Sequence, residues 1–118
     1  MHKVAIIILS EMEEHGDLGR VTNALGAVKE FKQHGDDVKL IFDGGGVTSA
    51  VRLADPEHKM HRLYSQVEDK LTGVCRYCSR AFHVYEEARE LELPFLAEFE
   101  QHPSIRNLIT EGYQVITF

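Results

Sequence analysis

The apolar residues of this chain follow two rhythms that alternate from end to end. From residue 3 to residue 9 it runs Lys3, Val4, Ala5, Ile6, Ile7, Ile8, Leu9. So continuous an apolar, β-branched run fits a strand buried on both faces of a parallel sheet. The strand ends at Ser10, and a polar loop from Ser10 to Gly19 follows. The period then changes. Val21, Ala24, Leu25, Val28 and Phe31 recur at intervals of three and four, one face of a helix, and Gly35 is placed to stop it at C′.

The unit then repeats. Val38 to Phe42 predicts a second strand, and Asp43-Gly44-Gly45-Gly46 turns into a short helix over Thr48 to Ala54, broken by Asp55-Pro56. Met60, Leu63, Tyr64 and Val67 stripe the next helix. Leu71 to Cys75 predicts a third strand, weakened by Gly73. Ala81, Val84, Tyr85, Ala88 and Leu91 mark a single helix from Ser79 to Leu91, and Leu93 to Leu96 a brief fourth strand. Pro103 early and Gly112 late frame a helix carrying Ile105, Leu108 and Ile109, before a last strand from Tyr113 to Phe118. The order βαβαβαβαβ predicts an α/β fold, a parallel five-stranded sheet with helices on both faces, since each crossover is right-handed and must cover the sheet.

At 118 residues the chain suits one domain, residues 1–118. No window approaches the run of about 20 apolar residues that a membrane span needs. Glu11, Glu13 and Glu14 follow the first apolar run where a secretory leader would show a longer core and a cleavage site, so a cytoplasmic protein away from membranes is expected. Thirteen basic against nineteen acidic side chains give a formal charge of −6. The basic residues are scattered, which argues against nucleic acid as a partner.

The two cysteines sit together as Cys75-Arg76-Tyr77-Cys78, too close to staple distant segments. Such a pair in a reducing compartment points to redox, sulfur or metal chemistry. Ligands of open parallel sheets bind outside the carboxyl ends of the strands, which selects the loops Ser10 to Gly19, Asp43 to Gly46 and Cys75 to Cys78. Cys75 ends a strand and Cys78 falls near the N-cap of the next helix, where backbone N–H groups favour a thiolate. Arg76, Arg80 and His83 are close enough in sequence to lower the thiol pKa further, His83 also as a base. The plain alternative is two half-buried thiols.

Three other groups compete for chemistry. His58 and His61, about one helical turn apart, are candidates to complete a Cys₂His₂ zinc site with Cys75 and Cys78, though a solvated surface pair suits them better. Gly44, Gly45 and Gly46 before Thr48 and Ser49 form a candidate anion-binding loop, but one without the lysine of a P-loop or a spaced GxGxxG, so a tight turn is the simpler expectation. Glu11, Glu13, Glu14 and His15 read as a solvated loop face. A thioredoxin-like reductase is disfavoured, since there the cysteine pair follows the first strand.

The run Gly73-Val74-Cys75-Arg76-Tyr77-Cys78-Ser79-Arg80-Ala81-Phe82 resembles the cysteine segment of DsrE-family proteins that carry a CxxC-type pair. Leu93-Pro94, His102-Pro103-Ser104, the segment from Glu111 to Phe118, and the Asp43-Gly44-Gly45 turn resemble the same subgroup. The resemblance implies a DsrE/DsrF-like three-layer α/β/α sandwich with a mainly parallel sheet, assembled into homo-oligomers. It implies a sulfurtransferase-like sulfur carrier in which Cys75, after the third strand, holds sulfane sulfur as a persulfide. Sulfur donor and acceptor proteins would be its partners, and no cofactor would be needed. Cys78 is additional to the best-understood relay pattern. A non-enzymatic oligomeric binding module is the alternative.

Overall fold

Strand order decides where every helix lies. A computed structural model describes residues 1–118. The strands β1 (Lys3–Ile8), β2 (Asp37–Phe42), β3 (Leu71–Cys75), β4 (Phe95–Leu96) and β5 (Gln114–Thr117) form one sheet in the order β4-β3-β2-β1-β5. Every pair is parallel. β1 runs between β2 and β5, with Ile8 opposite Phe42 on one side and Ile7 opposite Thr117 on the other. Val4 through Ile8 are all buried, as their unbroken apolar run predicts.

The steps from β1 to β2, β3 and β4 all proceed in one direction across the sheet. Right-handed crossovers repeated in one direction place their helices on one face. These helices are α1 (His15–Gln33), α2 (Gly46–Leu53), α3 (His61–Ser65), α4 (Arg76–Ala81) and α5 (Tyr85–Glu90), with a 3₁₀ turn at Glu68–Lys70. Only the return from β4 to β5 reverses direction, and it carries α6 (Ile105–Thr110) to the opposite face. The core divides accordingly. Val4, Ile6 and Ile8 join Leu25, Leu53, Tyr64 and others in a cluster of 20 buried residues. Ala5 and Ile7 point the other way and meet Ile41, Leu108 and Tyr113 in a cluster of five. The three-layer α/β/α sandwich is therefore present, with unequal outer layers.

Four helices end in the same hydrogen-bonded loop, in which the first two residues past the cap bond back to the last turn. After α1, Gly35 N–H donates to Lys32 O and Asp36 N–H to Phe31 O; after α6, Gly112 N–H donates to Ile109 O and Tyr113 N–H to Leu108 O. Both glycines have positive φ, as expected of C′ residues. The same pattern closes α4 at His83 and α5 at Glu92, with φ of 61° and 58°. The stop at His83 lacks glycine, so the sequence pattern predicts a single helix from Ser79 to Leu91 where the structure has two, α4 and α5. His83→Gly should relieve the left-handed backbone and raise stability by about 1 kcal/mol. A urea midpoint that falls would show that the His83 side chain itself supports the turn.

The first loop is shorter than predicted, because α1 begins at His15 and contains Gly16 and Gly19. Leu18 extends the apolar stripe by one turn and packs against the core, while Asp17 favours the helix start.

Candidate functional site

Cys75 is the last residue of β3 and also the N-cap of α4. Its Sγ accepts the backbone N–H of Cys78 at 3.3 Å, a capping bond made by a thiol in place of the usual hydroxyl or carboxylate. Cys78 is thus the third residue of the helix, with its side chain turned back towards Cys75. Cys75 is fully buried and Cys78 is 8 % exposed. Both are free thiols.

A histidine and a carboxylate stand against the two thiols. His102 Nδ1 lies 3.2 Å from Cys75 Sγ and 4.0 Å from Cys78 Sγ. The Cys78 thiol donates to Asp43 Oδ1 at 3.4 Å. The ligand-type atoms of Asp43, Cys75, Cys78 and His102 all lie within 4.8 Å of one another. Three loops supply them, those after β2, β3 and β4, all at the carboxyl edge of the sheet where parallel α/β proteins place their sites.

His102 is held there by a strained turn. Phe99 N–H donates to His102 O at 2.9 Å and His102 N–H to Phe99 O at 2.8 Å. Between them Glu100 and Gln101 have φ of 47° and 68°. Two consecutive left-handed residues other than Gly, Asn or Asp cost of order 1–3 kcal/mol each, and persist where the surroundings over-determine them. Here Tyr77 N–H donates to Gln101 O at 3.0 Å, Arg80 Nη1 donates to Gln101 Oε1 at 3.3 Å, and the Tyr77 ring packs on His102 at 4.7 Å.

The electrostatics correct one expectation. Burial pushes the Cys75 thiol up, outweighing the Cys78 N–H that favours its thiolate, and the Asp43 carboxylate adds to the rise. Burial raises Cys78 as well, again with Asp43 in the same direction. Arg76, Arg80 and His83 hydrogen-bond neither sulfur. Because α4 starts at Arg76, successive residues turn by about 100° and Cys78 lies about 200° around the helix from both Arg76 and Arg80. Arg80 sits instead over the Tyr85 ring at 4.7 Å, His83 is exposed at the helix end, and Arg76 buries its Nε without a hydrogen-bond partner.

The other sequence candidates lie elsewhere. His61 Nδ1 bonds Leu53 O at 2.7 Å and His58 Nδ1 accepts Met60 N–H at 3.1 Å, so both are tied to the backbone between α2 and α3 and neither joins the cysteines. In the glycine loop, Gly44 N–H donates to Asp43 Oδ1 and Gly46 N–H to Asp43 O. Two of its three N–H groups are thus used within the turn. Glu13 pairs with Arg52 at 2.9 Å. A groove of about 720 Å³ opens over the first loop, lined by Leu9, Glu11, Arg20, Gly45, Phe82 and Phe118 among others, but neither cysteine lines it.

Sequence reasoning did not single out His102, and took Asp43 only as a turn residue. Applying the strand-end rule to the loop after β4, as to the other three, would have drawn attention to His102.

An all-parallel α/β sheet with a buried Cys-x-x-Cys pair, a histidine and a carboxylate at its carboxyl edge defines a thiol-site protein of the open-sheet class. The DsrE/DsrF-like family model matches residues 2–118, and the chain belongs to that family. It is 29 % identical over 115 residues to an uncharacterized protein of Methanocaldococcus jannaschii, covering 97 % of this chain and 93 % of that one. A conserved protein of unknown function from Bacteroides thetaiotaomicron has the same fold, with a TM-score of 0.69 over 98 % of this chain and 95 % of that one at 11 % identity. No helix is long and apolar enough to cross a membrane.

Proposed function

We propose that the chain, acting as one DsrE-like domain, is a sulfur carrier that accepts sulfane sulfur on Cys75 and passes it to a partner. The observation that carries this is the 3.2 Å approach of His102 Nδ1 to Cys75 Sγ in a member of the DsrE/DsrF-like family. A thiol pushed up by burial is a poor nucleophile until a base within hydrogen-bond reach removes its proton. His102 is such a base.

In the loading step His102 takes the Cys75 proton, and the thiolate attacks the outer sulfur of a donor persulfide. A Cys75 S–S bond forms, the donor S–S bond breaks, and the donor leaves as a thiolate that takes the proton from His102. The exchange is redox-neutral. In discharge an acceptor thiolate attacks the outer sulfur and Cys75 leaves as a thiolate. Alternatively, Cys78 gives its proton to Asp43 and attacks Cys75 Sγ, forming a Cys75–Cys78 disulfide and expelling hydrosulfide. An external dithiol must then reduce the pair. Donor and acceptor proteins in the cytoplasm are the partners this chemistry calls for.

Intact mass after exposure of the reduced, metal-free protein to polysulfide tests the reading. Wild type should gain one or more sulfur atoms and Cys75→Ser none, while Cys78→Ser should load but discharge slowly. Loading that persisted in a folded Cys75→Ser protein would remove Cys75 from the role.

A further inference from the structure

We infer that Asp43, Cys75, Cys78 and His102 form a four-coordinate site for Zn²⁺, whose occupancy excludes sulfur loading at the same thiols. The inference rests on the sulfur-carrier reading only for the exclusion, since the donor set stands on geometry alone. A tetrahedral zinc ion with Zn–S of about 2.3 Å and Zn–N and Zn–O of about 2.0–2.2 Å requires its donors to be roughly 3.3–3.8 Å apart. The separations here are 3.2 Å from Cys75 Sγ to His102 Nδ1, 3.4 Å from Cys78 Sγ to Asp43 Oδ1 and 4.0 Å from Cys78 Sγ to His102 Nδ1. All four atoms fall within 4.8 Å. Shifts of under roughly 1 Å close the shell.

Charge and softness point the same way. A carboxylate against two buried thiols, with no Lys or Arg bonded to either sulfur, opposes free thiolates but suits a cation that supplies the missing positive charge. Two thiolates with one imidazole and one carboxylate match the borderline softness of Zn²⁺, and an all-oxygen shell for Mg²⁺ or Ca²⁺ is absent. Spacing alone could not reveal this set. The histidine next in line from sequence motifs was His58 or His61, whereas the fold supplies His102 from the loop after β4.

Binding requires both thiols to lose their protons. Zn²⁺ displaces the Cys75 and Cys78 protons to solvent, two Zn–S bonds form, and His102 Nδ1 and Asp43 Oδ1 complete the shell. No electron transfer is involved. With both sulfurs on the metal, neither lone thiolate is free to attack a persulfide.

Titration of the reduced apo-protein with Zn²⁺ against a chromophoric chelator tests the site, alongside Co²⁺ substitution. Expected are one ion per chain, about two protons released per ion near neutral pH, and a Co²⁺ spectrum with tetrahedral and thiolate charge-transfer bands. His102→Ala and Asp43→Asn, checked for folding by circular dichroism, should each weaken binding by at least the roughly 10–100-fold that loss of an outer-shell partner costs. A His58→Ala/His61→Ala double variant should bind as wild type. Zinc-loaded protein should take up no sulfur from polysulfide until a chelator is added.

Absence of thiolate bands, or affinity unchanged in both His102→Ala and Asp43→Asn, would overturn the site, as would loss in the His58/His61 variant. Sulfur uptake by protein that retains zinc would overturn the exclusion. Failure of zinc binding beside normal loading of the apo-protein removes this inference and leaves the carrier. Zinc binding without any loading of the apo-protein upholds the site and removes the carrier.

Discussion

On the proposed sulfur-carrier role, replacing His102 with Ala should slow sulfur loading of Cys75 by about 10²–10⁴-fold at neutral pH, the range in which a positioned general base contributes. The cause is the state of the thiol. Burial, with Asp43 nearby, holds the Cys75 pKa above its ordinary value, so the thiolate is scarce near pH 7 unless His102 removes the proton. The sign of the pH dependence follows. Without the base, the loading rate of the variant climbs as pH rises beyond the ordinary thiol value of about 8.5 and keeps climbing towards the raised value of the folded protein. Wild type, with His102 at hydrogen-bond distance from the thiol, loads at neutral pH and depends less steeply on pH across that range. Single-turnover loading followed by quenched mass analysis measures both profiles on metal-free protein. Equal rates in wild type and variant at pH 7 would remove His102 from proton transfer and leave it a packing partner of Tyr77.

Gly46→Ala destabilises the protein by on the order of 4 kcal/mol, a large share of the roughly 5–15 kcal/mol that holds a domain of this size. A Cβ at Gly46 would stand 1.9 Å from Ile8 O and 2.7 Å from the Ile8 carbonyl carbon. Neither neighbour can yield cheaply, because Ile8 ends a strand buried from Val4 onward and its carbonyl also accepts the Asp43 N–H at 3.0 Å. Relief requires α2 to move off β1, which strains the bond from Ser49 Oγ to Ser10 O at 2.7 Å. The same movement carries Asp43 away from Cys78. Gly26→Ala is the matched control, since nothing lies within 4 Å of a Cβ there and the residue is an exposed position inside α1. Its expected effect is a gain of about 0.5–1 kcal/mol. Urea unfolding of the two variants beside wild type checks both signs, and a Gly46→Ala protein of wild-type stability would mean that α2 can settle further from the sheet than its packing indicates.

The triple glycine therefore serves the close approach of α2 to β1, and only through that approach the site. An alanine at Gly46 would act on the thiols indirectly. This separates it from His102→Ala, which should leave the unfolding midpoint nearly unchanged.

Much of the architecture was legible in local pattern. The apolar run of β1, the three-and-four spacing of α1 and the glycines at 35 and 112 each carry their structural consequence within a few residues of sequence. Period, burial and C′ chemistry are local properties. Parallel pairing also followed from the alternation of strands and helices, because short crossovers leave few other arrangements. The cysteine pair and its place at the end of β3 were equally plain.

The break of the predicted Ser79–Leu91 helix was not, since His83 takes the left-handed conformation that sequence assigns to glycine. The grouping of the site was hidden for a different reason. Asp43 and His102 stand 35 and 27 residues from the cysteines they meet. Their convergence follows from the strand order β4-β3-β2, which aligns three loop starts at one edge. By itself the sequence determined the strands, most of the helices and the thiols. The tertiary structure alone decided which base and which carboxylate face those thiols, because non-local strand pairing, which no single segment encodes, brings the loops together.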